Sequence, residues 1–547
     1  MATGQRILVA DKLAAEGLAA LKASGMEYDE KIGLTPEQLA VEVPNYDAMI
    51  VRSNAKVTDK VLENPGKMRV IARAGVGVDN IHLPTATAKG ILVLNTAAAS
   101  TLSTAEHALA LMYALARKIP AAAAHVKSAP AKWEKTKYQG TQLAGKTLGV
   151  VGLGRIGQTV AARAVAMEMK VLGYDPYFQS ATALDGKVTV IKDFDEFLKQ
   201  LDVITFHVPG GAETKHLINR ERLFNGTVKP NLLIVNDSRG EVIDEYAVAD
   251  ALKEKKIAGA ALDVFAKEPP PQDHPLFGLE NVVLTPHLGA STDEAQTAVS
   301  VDACTAIIAY LNSGEIRGAV NAGGIKLDLP PDEAALADLA RRIGALLSGY
   351  AEGGFKTITL RASGQRAPKI MNTLLRLAAV ELMKPHMARG VNVINVEHLA
   401  RERGIEMVQI HEAEPPSGLV GDIVGVRVDQ QDGKSHRILG TAYADRLPRV
   451  LRIDDFAMDI VPEGHMVVIV NKDQPGVIGT VGSTFGDAQV NIADMVISRV
   501  LKQSDGSATA LMVIKTDQLP ADAVINRLKA RPGILLVKTV ELPKRAS

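Results

Sequence analysis

A glycine-rich turn between a buried strand and a helix of small residues is the feature that most constrains the fold of this 547-residue chain. The apolar run 148–151 leads directly into Gly152-x-Gly154-x-x-Gly157. The first glycine permits a tight turn, the second lets the backbone approach a pyrophosphate, and the third lets the helix pack closely on the strand. The N–H groups that open the helix, together with its dipole, attract an anion. The segment therefore predicts a dinucleotide-binding turn in a doubly wound sheet.

The next apolar strand predicts which dinucleotide is bound. Residues 170–174 form that strand and end in Asp175, 18 residues after Gly157. A carboxylate in this place binds the ribose 2′-hydroxyl, whereas a 2′-phosphate would require a nearby Arg or Lys. The residues that follow are Pro176, Tyr177 and Phe178. NAD is therefore favoured over NADP.

Composition limits the classes of partner. Lys plus Arg and Asp plus Glu are balanced at 62 each, so no overall field attracts nucleic acid or an anionic membrane. The single cysteine, Cys304, excludes a disulfide framework and a cysteine-based metal site. The first residues lead into a strand without a signal-peptide pattern, and no apolar run is long enough to span a bilayer. We expect a cytoplasmic protein with no nucleic-acid or membrane partner.

The order of apolar strands and helices predicts four domains. Two long helices flank the nucleotide-binding segment, which indicates that the chain leaves a first domain, builds a second and returns to the first. The predicted fold is α/β: a doubly wound Rossmann-type nucleotide domain inserted in a smaller flavodoxin-like α/β substrate domain, then an α+β domain and a ferredoxin-like domain. The predicted boundaries are 1–100 with 288–318 for the substrate domain, 101–287 for the nucleotide domain, 319–462 for the third domain and 463–547 for the fourth.

Three polar residues follow strands in the nucleotide domain, where ligands of open α/β sheets bind. Hydride transfer from an alcohol to nicotinamide needs a group that takes the hydroxyl proton, and a histidine such as His287 suits this role because imidazole binds and releases a proton near neutral pH. A carboxylate such as Glu268 can orient that imidazole, and Arg239 can hold a substrate carboxylate bidentately. The nicotinamide supplies the redox chemistry, so no metal is expected.

The pattern alone leaves other interpretations of these residues open. His287 could be a structural histidine, Glu268 a solvated loop charge and Arg239 one partner of a surface ion pair. Asp263, at another strand end, is equally suited to capping a turn. Two arginines at strand ends in the first domain, Arg52 and Arg73, suit a second negative group on the substrate, or are solvated loop charges.

Together these segments resemble the D-isomer-specific 2-hydroxyacid dehydrogenases over residues 5–318. The resemblance implies that Arg239, Glu268 and His287 are catalytic. Segments 51–53 and 73–80 and the two C-terminal domains are similar to the long members of the family. Those members use NAD to oxidise 3-phosphoglycerate to 3-phosphooxypyruvate, the first committed step of serine synthesis. The resemblance thus implies NAD as cofactor and 3-phosphoglycerate as substrate.

The resemblance also implies the remaining contacts of the site. Cofactor contacts are expected from Gly152, Gly154, Arg155, Ile156, Gly157, Asp175, Val208, Asp237, Ser238, Asp263 and Gly289. Substrate contacts are expected from Arg52, Ser53, Arg73, Gly75 and Val76. Val76 stands where related enzymes carry a hydroxyl, so only its backbone is expected to serve. Val208 stands where threonine is frequent, so one hydrogen bond near the nicotinamide is expected to be missing.

By the same resemblance, the third domain is the intervening domain of the long members and the fourth is an ACT domain. ACT domains pair between subunits and often bind an amino acid, here L-serine. The expected effector contacts are Asn471, Asp473 and Asn491. ACT pairing combined with a dehydrogenase dimer predicts a homotetramer.

Two other functions remain open on the sequence. The chain could be another D-2-hydroxyacid dehydrogenase, such as a 2-oxoglutarate or glyoxylate reductase, because the three predicted catalytic residues would contact only the carboxylate and the carbonyl group of a substrate. It could also be an NAD-sensing binding protein without turnover, since a fold does not determine a function.

Overall fold

The computed structural model describes residues 4–128, 133–351, 354–387, 390–443, 447–500 and 508–542. These residues contain four sheets of five, eight, six and four strands. We call the part of the chain built around each sheet the first, second, third and fourth unit. The predicted domain boundaries stay a prediction, and their outer ends, at residues 1–3 and 543–547, lie outside the described residues.

The first unit is a parallel sheet covered by helices. Most residues of its strands are apolar and buried, as expected for strands covered on both faces, whereas the edge strand at 27–30 is polar and partly exposed. The strand order β2-β1-β3-β4-β5 is the flavodoxin-like order and confirms the predicted fold of this unit. The elements are β1 (Arg6–Val9), α1 (Ala15–Ser24), β2 (Glu27–Glu30), α2 (Pro36–Glu42), β3 (Ala48–Val51), β4 (Val70–Arg73), α3 (Leu83–Ala88) and β5 (Leu92–Asn95).

The second unit is the doubly wound sheet. Its elements are α4 (Thr101–Ala116), α5 (Ile119–Ser128), β6 (Thr147–Val151), α6 (Arg155–Ala166), β7 (Lys170–Tyr174), β8 (Thr182–Ala183), β9 (Val188–Val190), α7 (Phe194–Leu198), β10 (Val203–Phe206), α8 (Arg220–Phe224), β11 (Leu233–Asn236), α9 (Glu245–Lys253), β12 (Gly259–Leu262) and β13 (Val282–Leu284). The order β13-β12-β11-β10-β6-β7-β9-β8 reverses direction between β10 and β6, as in a Rossmann sheet. Only β8, which has two residues, runs antiparallel to its neighbour, and the sequence analysis missed it.

The chain then returns to the first unit, which confirms the predicted insertion. Helix α10 (Asp293–Ser313) packs on α1 and buries Cys304 and Ile307 in the core of the first unit. Residues 318–320 next extend the edge of the first sheet beside β5. The amide of Val320 donates to the carbonyl of Val93 at 2.8 Å.

The third unit is an antiparallel sheet with one parallel edge strand. The strand order is β15-β14-β16-β17-β18-β19, and α11 and α12 pack on each other and on the sheet. The sequence pattern predicts helices near 331–350 and near 369–388. The first has those bounds, whereas the second is shorter, and residue 388 lies outside the described ranges. The elements are α11 (Pro331–Tyr350), β14 (Phe355–Ser363), α12 (Met371–Met383), α13 (Val396–Glu402), β15 (Glu406–His411), β16 (Ile423–Gln430), β17 (Ser435–Ala442), β18 (Pro448–Ile453) and β19 (Phe456–Ile460).

The fourth unit has the predicted βαββαβ order. Its elements are β20 (His465–Lys472), α14 (Val477–Asp487), β21 (Ile492–Val500), β22 (Thr509–Thr516), α15 (Asp522–Lys529) and β23 (Ile534–Glu541). The antiparallel order β21-β22-β20-β23 is that of a ferredoxin-like sheet. The two helices cover one face, and the other face joins the apolar core of the third unit through Met466, Val468, Leu511 and Val513.

No helix in the described part of the chain combines the length and the apolar character needed to cross a bilayer. Helix α4 nevertheless has a mainly apolar face, which packs on α6, β11 and β12 of the second unit. Its apolar residues are therefore explained by the core of that unit.

Candidate active site

The loops after β11, β12 and β13 carry the three predicted catalytic residues. These strands are neighbours in the sheet and parallel, so their carboxyl ends meet at one edge. Arg239, Glu268 and His287 follow them in that order. A cavity of about 420 Å³ at this edge is lined by Glu268, His287 and apolar residues that include Phe265 and Phe277.

Glu268 and His287 form the predicted hydrogen-bonded pair. The Nδ1 of His287 lies 2.8 Å from Oε2 of Glu268, and both side chains are partly exposed to the cleft. The other carboxylate oxygen of Glu268 accepts from the amide of Phe265 at 3.1 Å, which holds the carboxylate in place. With Nδ1–H directed at the carboxylate, a neutral imidazole presents Nε2 as a proton acceptor.

Asp263 anchors the turn on which His287 stands. His287 has a left-handed backbone with φ of 57°, which is uncommon for a side chain of this size. The Asp263 carboxylate accepts from the amides of Leu288 and Gly289 at 2.8 Å each and from the Thr285 hydroxyl at 2.5 Å. The turn-capping interpretation of Asp263 is thus the one that the structure shows.

Arg239 bridges from the second unit to the first. Its Nε and Nη2 lie 3.1 and 3.0 Å from Oδ2 of Asp79, and its Nη1 donates to the carbonyl of Ser238 at 2.7 Å. The guanidinium rests on Gly77, where a Cβ would come within 1.9 Å of Nη2. Asp79 is exposed, so a substrate carboxylate can compete for this guanidinium from the cleft.

Two arginines of the first unit lie close to Arg239. The Nε of Arg73 is buried and has no hydrogen-bond partner among the described residues. Burial, followed by the positive charge of Arg239, lowers the pKa of Arg73 to about 10. Arg52 donates to the carbonyl of Lys12 at 3.1 Å and hydrogen-bonds Gln296 of α10. Guanidinium groups gathered in this way, one of them with an unused buried donor, favour a bound anion.

The other predicted substrate residues surround these arginines. Ser53 is exposed directly after Arg52, and its carbonyl accepts from Lys56 at 2.9 Å. The amide of Gly75 donates to the hydroxyl of Thr96 at 2.8 Å, and the carbonyl of Val76 accepts from Asn95 at 2.7 Å. The backbone of segment 75–76 is therefore held in place at the edge of the cleft.

The three glycines of the nucleotide turn lie in different environments. Gly152 has a φ of 88°, and a Cβ on Gly157 would lie 1.9 Å from the carbonyl oxygen of Gly152. A Cβ on Gly154, by contrast, would meet no atom of the described chain within 4 Å. Open space therefore lies beside the N-terminus of α6, whose first residues are Arg155 and Ile156. This arrangement fits a dinucleotide pyrophosphate.

The remaining predicted cofactor residues lie along the same edge of the sheet. The Asp175 carboxylate follows β7 and is oriented by the amides of Leu153 and Tyr177, both at 2.9 Å. Val208 follows β10 and packs beside Gly152. The Ser238 hydroxyl is turned inward and donates to the side chain of Asn236 at 2.9 Å.

Asp237 lies in an unexpected environment. Its side chain is buried beside the carboxylate of Asp263, and a third residue, His107 of α4, completes a cluster whose ligand-type atoms all lie within 4.8 Å of one another. Burial, followed by the charge of Asp263, raises the pKa of Asp237 to about 9. The pKa of Asp263 itself is lowered: burial opposes this shift, but hydrogen bonds from His107 and from the backbone exceed it.

The structure brings together only part of the predicted effector site within one chain. Asn471 is buried with an unpartnered Oδ1, and Asp473, two residues on, has a carboxylate oxygen 3.5 Å from Arg499. Asn491 lies at the opposite end of the sheet, because β21 begins opposite Thr516, whereas the end of β20 is opposite Thr509. There it donates to Asp517 at 2.8 Å.

Sequence reasoning missed several residues that shape the site. Asp79 belongs to a segment singled out for its arginine and glycines, but its contact with Arg239 crosses between units that are distant in sequence. Gln296 and His107 lie on helices, where nothing in the local pattern distinguishes them from other surface polar residues. Only their tertiary contacts show that they face the site.

Three family models match consecutive parts of the chain. The NAD binding domain of D-isomer specific 2-hydroxyacid dehydrogenases matches residues 109–289. The D-3-phosphoglycerate dehydrogenase intervening domain matches residues 334–454, and the ACT domain matches residues 465–533. These matches fall on the second, third and fourth units.

Relatives are similar over nearly the whole chain. The D-3-phosphoglycerate dehydrogenase of Archaeoglobus fulgidus is 38% identical over 539 residues, which is 98% of this chain and 100% of the relative. The enzyme of the same name from Methanocaldococcus jannaschii is also 38% identical, over 98% of this chain and its own full length. A crystal structure of the TT0316 protein from Thermus thermophilus, 34% identical, covers 58% of this chain and all of that protein with a TM-score of 0.53.

Proposed function

The chain belongs to the D-3-phosphoglycerate dehydrogenase family, and on this basis we propose that it oxidises 3-phospho-D-glycerate to 3-phosphooxypyruvate with NAD, the first step of L-serine biosynthesis. The observation that carries the proposal is the hydrogen bond between His287 and Glu268 at the edge of the cleft. It provides a proton acceptor at the same edge of the sheet as the nucleotide-binding turn.

His287 takes the proton of the substrate hydroxyl on its Nε2. Glu268 holds the ring through Nδ1 and stabilises the imidazolium that forms when the proton arrives. Bound NAD supplies the acceptor for the hydride that leaves the same carbon. Alcohol oxidation is then balanced: the oxygen loses a proton to His287, the carbon loses a hydride, and a carbonyl group forms.

Arg239 binds the substrate carboxylate and polarises the oxygen that becomes the carbonyl. Its present contact with the exposed Asp79 keeps the guanidinium turned toward the cleft, and a carboxylate of the substrate replaces that contact. Arg52 and Arg73 hold the phosphate. This role is supported by the unpartnered Nε of Arg73, which offers a buried donor to an anion.

NAD is held by the turn that contains Gly152, Gly154 and Gly157 and by the start of α6. The pyrophosphate meets the N–H groups there, and Asp175 binds the adenosine ribose. The loops after β10 to β13, which include Val208, Ser238 and Gly289, contact the nicotinamide half.

The test is turnover measured by NADH absorbance, together with NADH binding measured by fluorescence. Replacing His287 with Asn removes the proton acceptor, and we expect turnover to fall by about 10²- to 10⁴-fold while NADH binding survives. His398→Asn is the matched control, because His398 forms a similar pair with Glu402 at 3.3 Å on α13, away from the site. Turnover in the control should be unchanged.

The substrate is tested on the wild type with 3-phosphooxypyruvate against 2-oxoglutarate, glyoxylate and other 2-oxo acids. A preference for an unphosphorylated acid would contradict the assignment and favour another D-2-hydroxyacid dehydrogenase. Normal turnover in His287→Asn would remove the proposed mechanism. Absence of turnover in the wild type, with NADH bound, would favour a cofactor-sensing protein.

Regulation, assembly and location belong to the same proposal. The ACT match supports an amino-acid effector, for which we propose L-serine bound by Asn471 and Asp473 of one chain and Asn491 of a paired copy. Pairing of the fourth units, together with pairing of the dehydrogenase units, would give a homotetramer. We place the enzyme in the cytoplasm, where 3-phosphoglycerate is produced.

A further inference from the structure

Two buried carboxyl groups lie side by side beneath the turn that carries His287. Asp237 follows β11 and Asp263 follows the adjacent strand β12, and their side chains are 6% and 0% exposed. Their carboxylate oxygens belong to the cluster whose atoms all lie within 4.8 Å of one another. Gly289 closes the space above them, since a Cβ there would come within 2.6 Å of Oδ1 of Asp237.

The two groups differ in their hydrogen-bond donors. Asp263 accepts from the Thr285 hydroxyl and from the amides of Leu288 and Gly289. Oδ2 of Asp237 is buried and has no partner among the described residues. Two adjacent buried anions with no donor between them would repel each other, and burial would disfavour both charges. A single proton between them removes the repulsion and supplies the missing bond.

We propose that Asp237 is a protonated carboxylic acid that donates its hydrogen to Asp263 and thereby positions the turn that carries His287. Asp263 is then the only anion of the pair, and its charge is available to the amides of Leu288 and Gly289. Asp237 acts as a positioning residue, because it reaches the reacting groups only through Asp263 and the turn.

The surroundings support a proton in this position. Burial and the neighbouring charge raise the pKa of Asp237 to about 9, so that the acid form persists at neutral pH. From α4, His107 faces the pair, with its Nε2 3.2 Å from Asp263. The charged side chains of the adjoining loops are engaged elsewhere: Arg239 with Asp79, and Glu268 with His287. A metal ion is disfavoured because the oxygens of Asp263 already accept three hydrogen bonds.

The first test uses the protein without cofactor. Asp237→Asn keeps the shape and a donor for Asp263 but cannot ionise. We expect the infrared spectrum of the wild type at neutral pH to contain the carbonyl band of a protonated carboxylic acid that the variant lacks, and titration through about pH 9 to abolish it. If the variant does not fold, this titration of the wild type alone decides. Absence of the band would overturn the proposal.

Thermal unfolding provides a second readout that is independent of activity. Between about pH 4 and pH 9 the unfolded chain has ionised Asp237, whereas the folded chain keeps its proton. The folded state therefore binds more protons than the unfolded state in this window. As the pH rises through it, the Tm of the wild type should fall relative to that of Asp237→Asn. Above the window, the two curves of Tm against pH should run parallel. Parallel curves throughout would contradict a raised pKa.

A kinetic experiment, which rests on the proposed oxidation, shows whether the proton on Asp237 positions His287. The wild type should lose activity as Asp237 ionises at about pH 9, whereas Asp237→Asn should keep its activity until Arg73 loses its proton at about pH 10. Asp273→Asn, an exposed carboxylate in a neighbouring loop, is the control and should follow the wild type.

Arg73 also has a lowered pKa, but it is present in every variant and affects all their profiles equally. The wild type and Asp237→Asn should therefore lose activity at different pH values, and loss at the same pH in both would overturn the positioning role. Failure of the proposed reaction itself would appear as absent turnover at all pH values, with the infrared and unfolding results unaffected.

Discussion

At the scale of single residues, Gly75 controls where an arginine can lie. Its φ is 145°, and a Cβ there would come within 1.8 Å of Nη1 of Arg73. The guanidinium therefore occupies the space that a side chain at position 75 would fill. A glycine in the loop thus serves the anion site without touching the substrate.

We expect Gly75→Ala to raise KM for 3-phosphoglycerate by about tenfold or more, because one charged hydrogen-bonding group is displaced. NADH affinity should change little. Gly211→Ala is the matched control: its φ is also 145°, but a Cβ there meets nothing within 4 Å. Steady-state kinetics on both variants measure this difference. If Gly211→Ala raised KM as much as Gly75→Ala does, backbone strain and not the displacement of Arg73 would account for the effect.

Arg52 is expected to contribute to the same anion site. Arg52→Ala should raise KM for 3-phosphoglycerate by about 10- to 100-fold with a smaller change in kcat, since the contact is made in both ground and transition states. Arg401→Ala, which removes an exposed arginine of the third unit, is the control. Equal losses for 3-phosphoglycerate and an unphosphorylated hydroxy acid would exclude a phosphate contact.

Arg239, Glu268 and His287 could be predicted at this scale as residues that follow strands, because the apolar pattern defines where each strand lies. Asp79 and His107 could not, because their roles depend on partners more than 150 residues away in the chain, Arg239 and Asp263. Asp237 was predicted as a cofactor contact, but its protonated state follows only from burial beside Asp263.

At the scale of elements, strand β6 and helix α6 meet through a carbonyl oxygen. A Cβ on Gly157 would lie 1.9 Å from the backbone oxygen of Gly152, whereas one on Gly154 would point into open space. The same motif thus contains one glycine required for packing and one required for the ligand.

Two alanine variants should separate these roles. Gly157→Ala is expected to lower the Tm and weaken NADH binding, because the helix must move away from the strand. Gly154→Ala should leave the Tm close to that of the wild type and still weaken NADH binding, because only the pyrophosphate meets the new methyl group. Calorimetry measures the Tm, and fluorescence titration measures the affinity for NADH. Tight NADH binding by Gly154→Ala would place the pyrophosphate elsewhere.

The element boundaries show what sequence patterns miss. The sequence Ser103-x-x-Glu106 has the form of a capping box and predicts that α4 begins there, which is wrong: the helix begins at Thr101, and the Ser103 hydroxyl lies 2.8 Å from that of Thr292. Thr292 does cap α10, by accepting from the amide of Ala295 at 3.1 Å. The first motif is used for a contact between the two connecting helices, which a local pattern cannot reveal.

At the scale of the whole molecule, the fourth unit is bound to the third through its sheet. The face of its sheet that α14 and α15 leave uncovered packs against α11 in the core of the third unit, so this face is not available to another chain. The edge strand β21 also packs against β19 of the third unit, and the three predicted effector residues lie at the two ends of the fourth sheet.

Isothermal titration with L-serine should give heat with the wild type and little or none with Asp473→Ala, because a carboxylate is needed to bind the amino group. Asp487→Ala, at the exposed end of α14 in the same unit, is the control and should behave as the wild type. Absence of heat with the wild type would end the serine proposal. Heat that is unchanged in Asp473→Ala would place the effector elsewhere.

The sequence by itself determined the class of sheet in each unit, the glycine-rich turn and the strand ends that Arg239, Glu268 and His287 follow, because apolar periodicity and glycine spacing are local properties. The tertiary structure alone decided which polar partner each charged or titratable side chain has: Arg239 lies beside Asp79, Arg52 beside Gln296, and Asp237 beside Asp263. The physical reason is that electrostatic interactions depend on distance and burial, and the chain fold sets both between residues that are far apart in sequence.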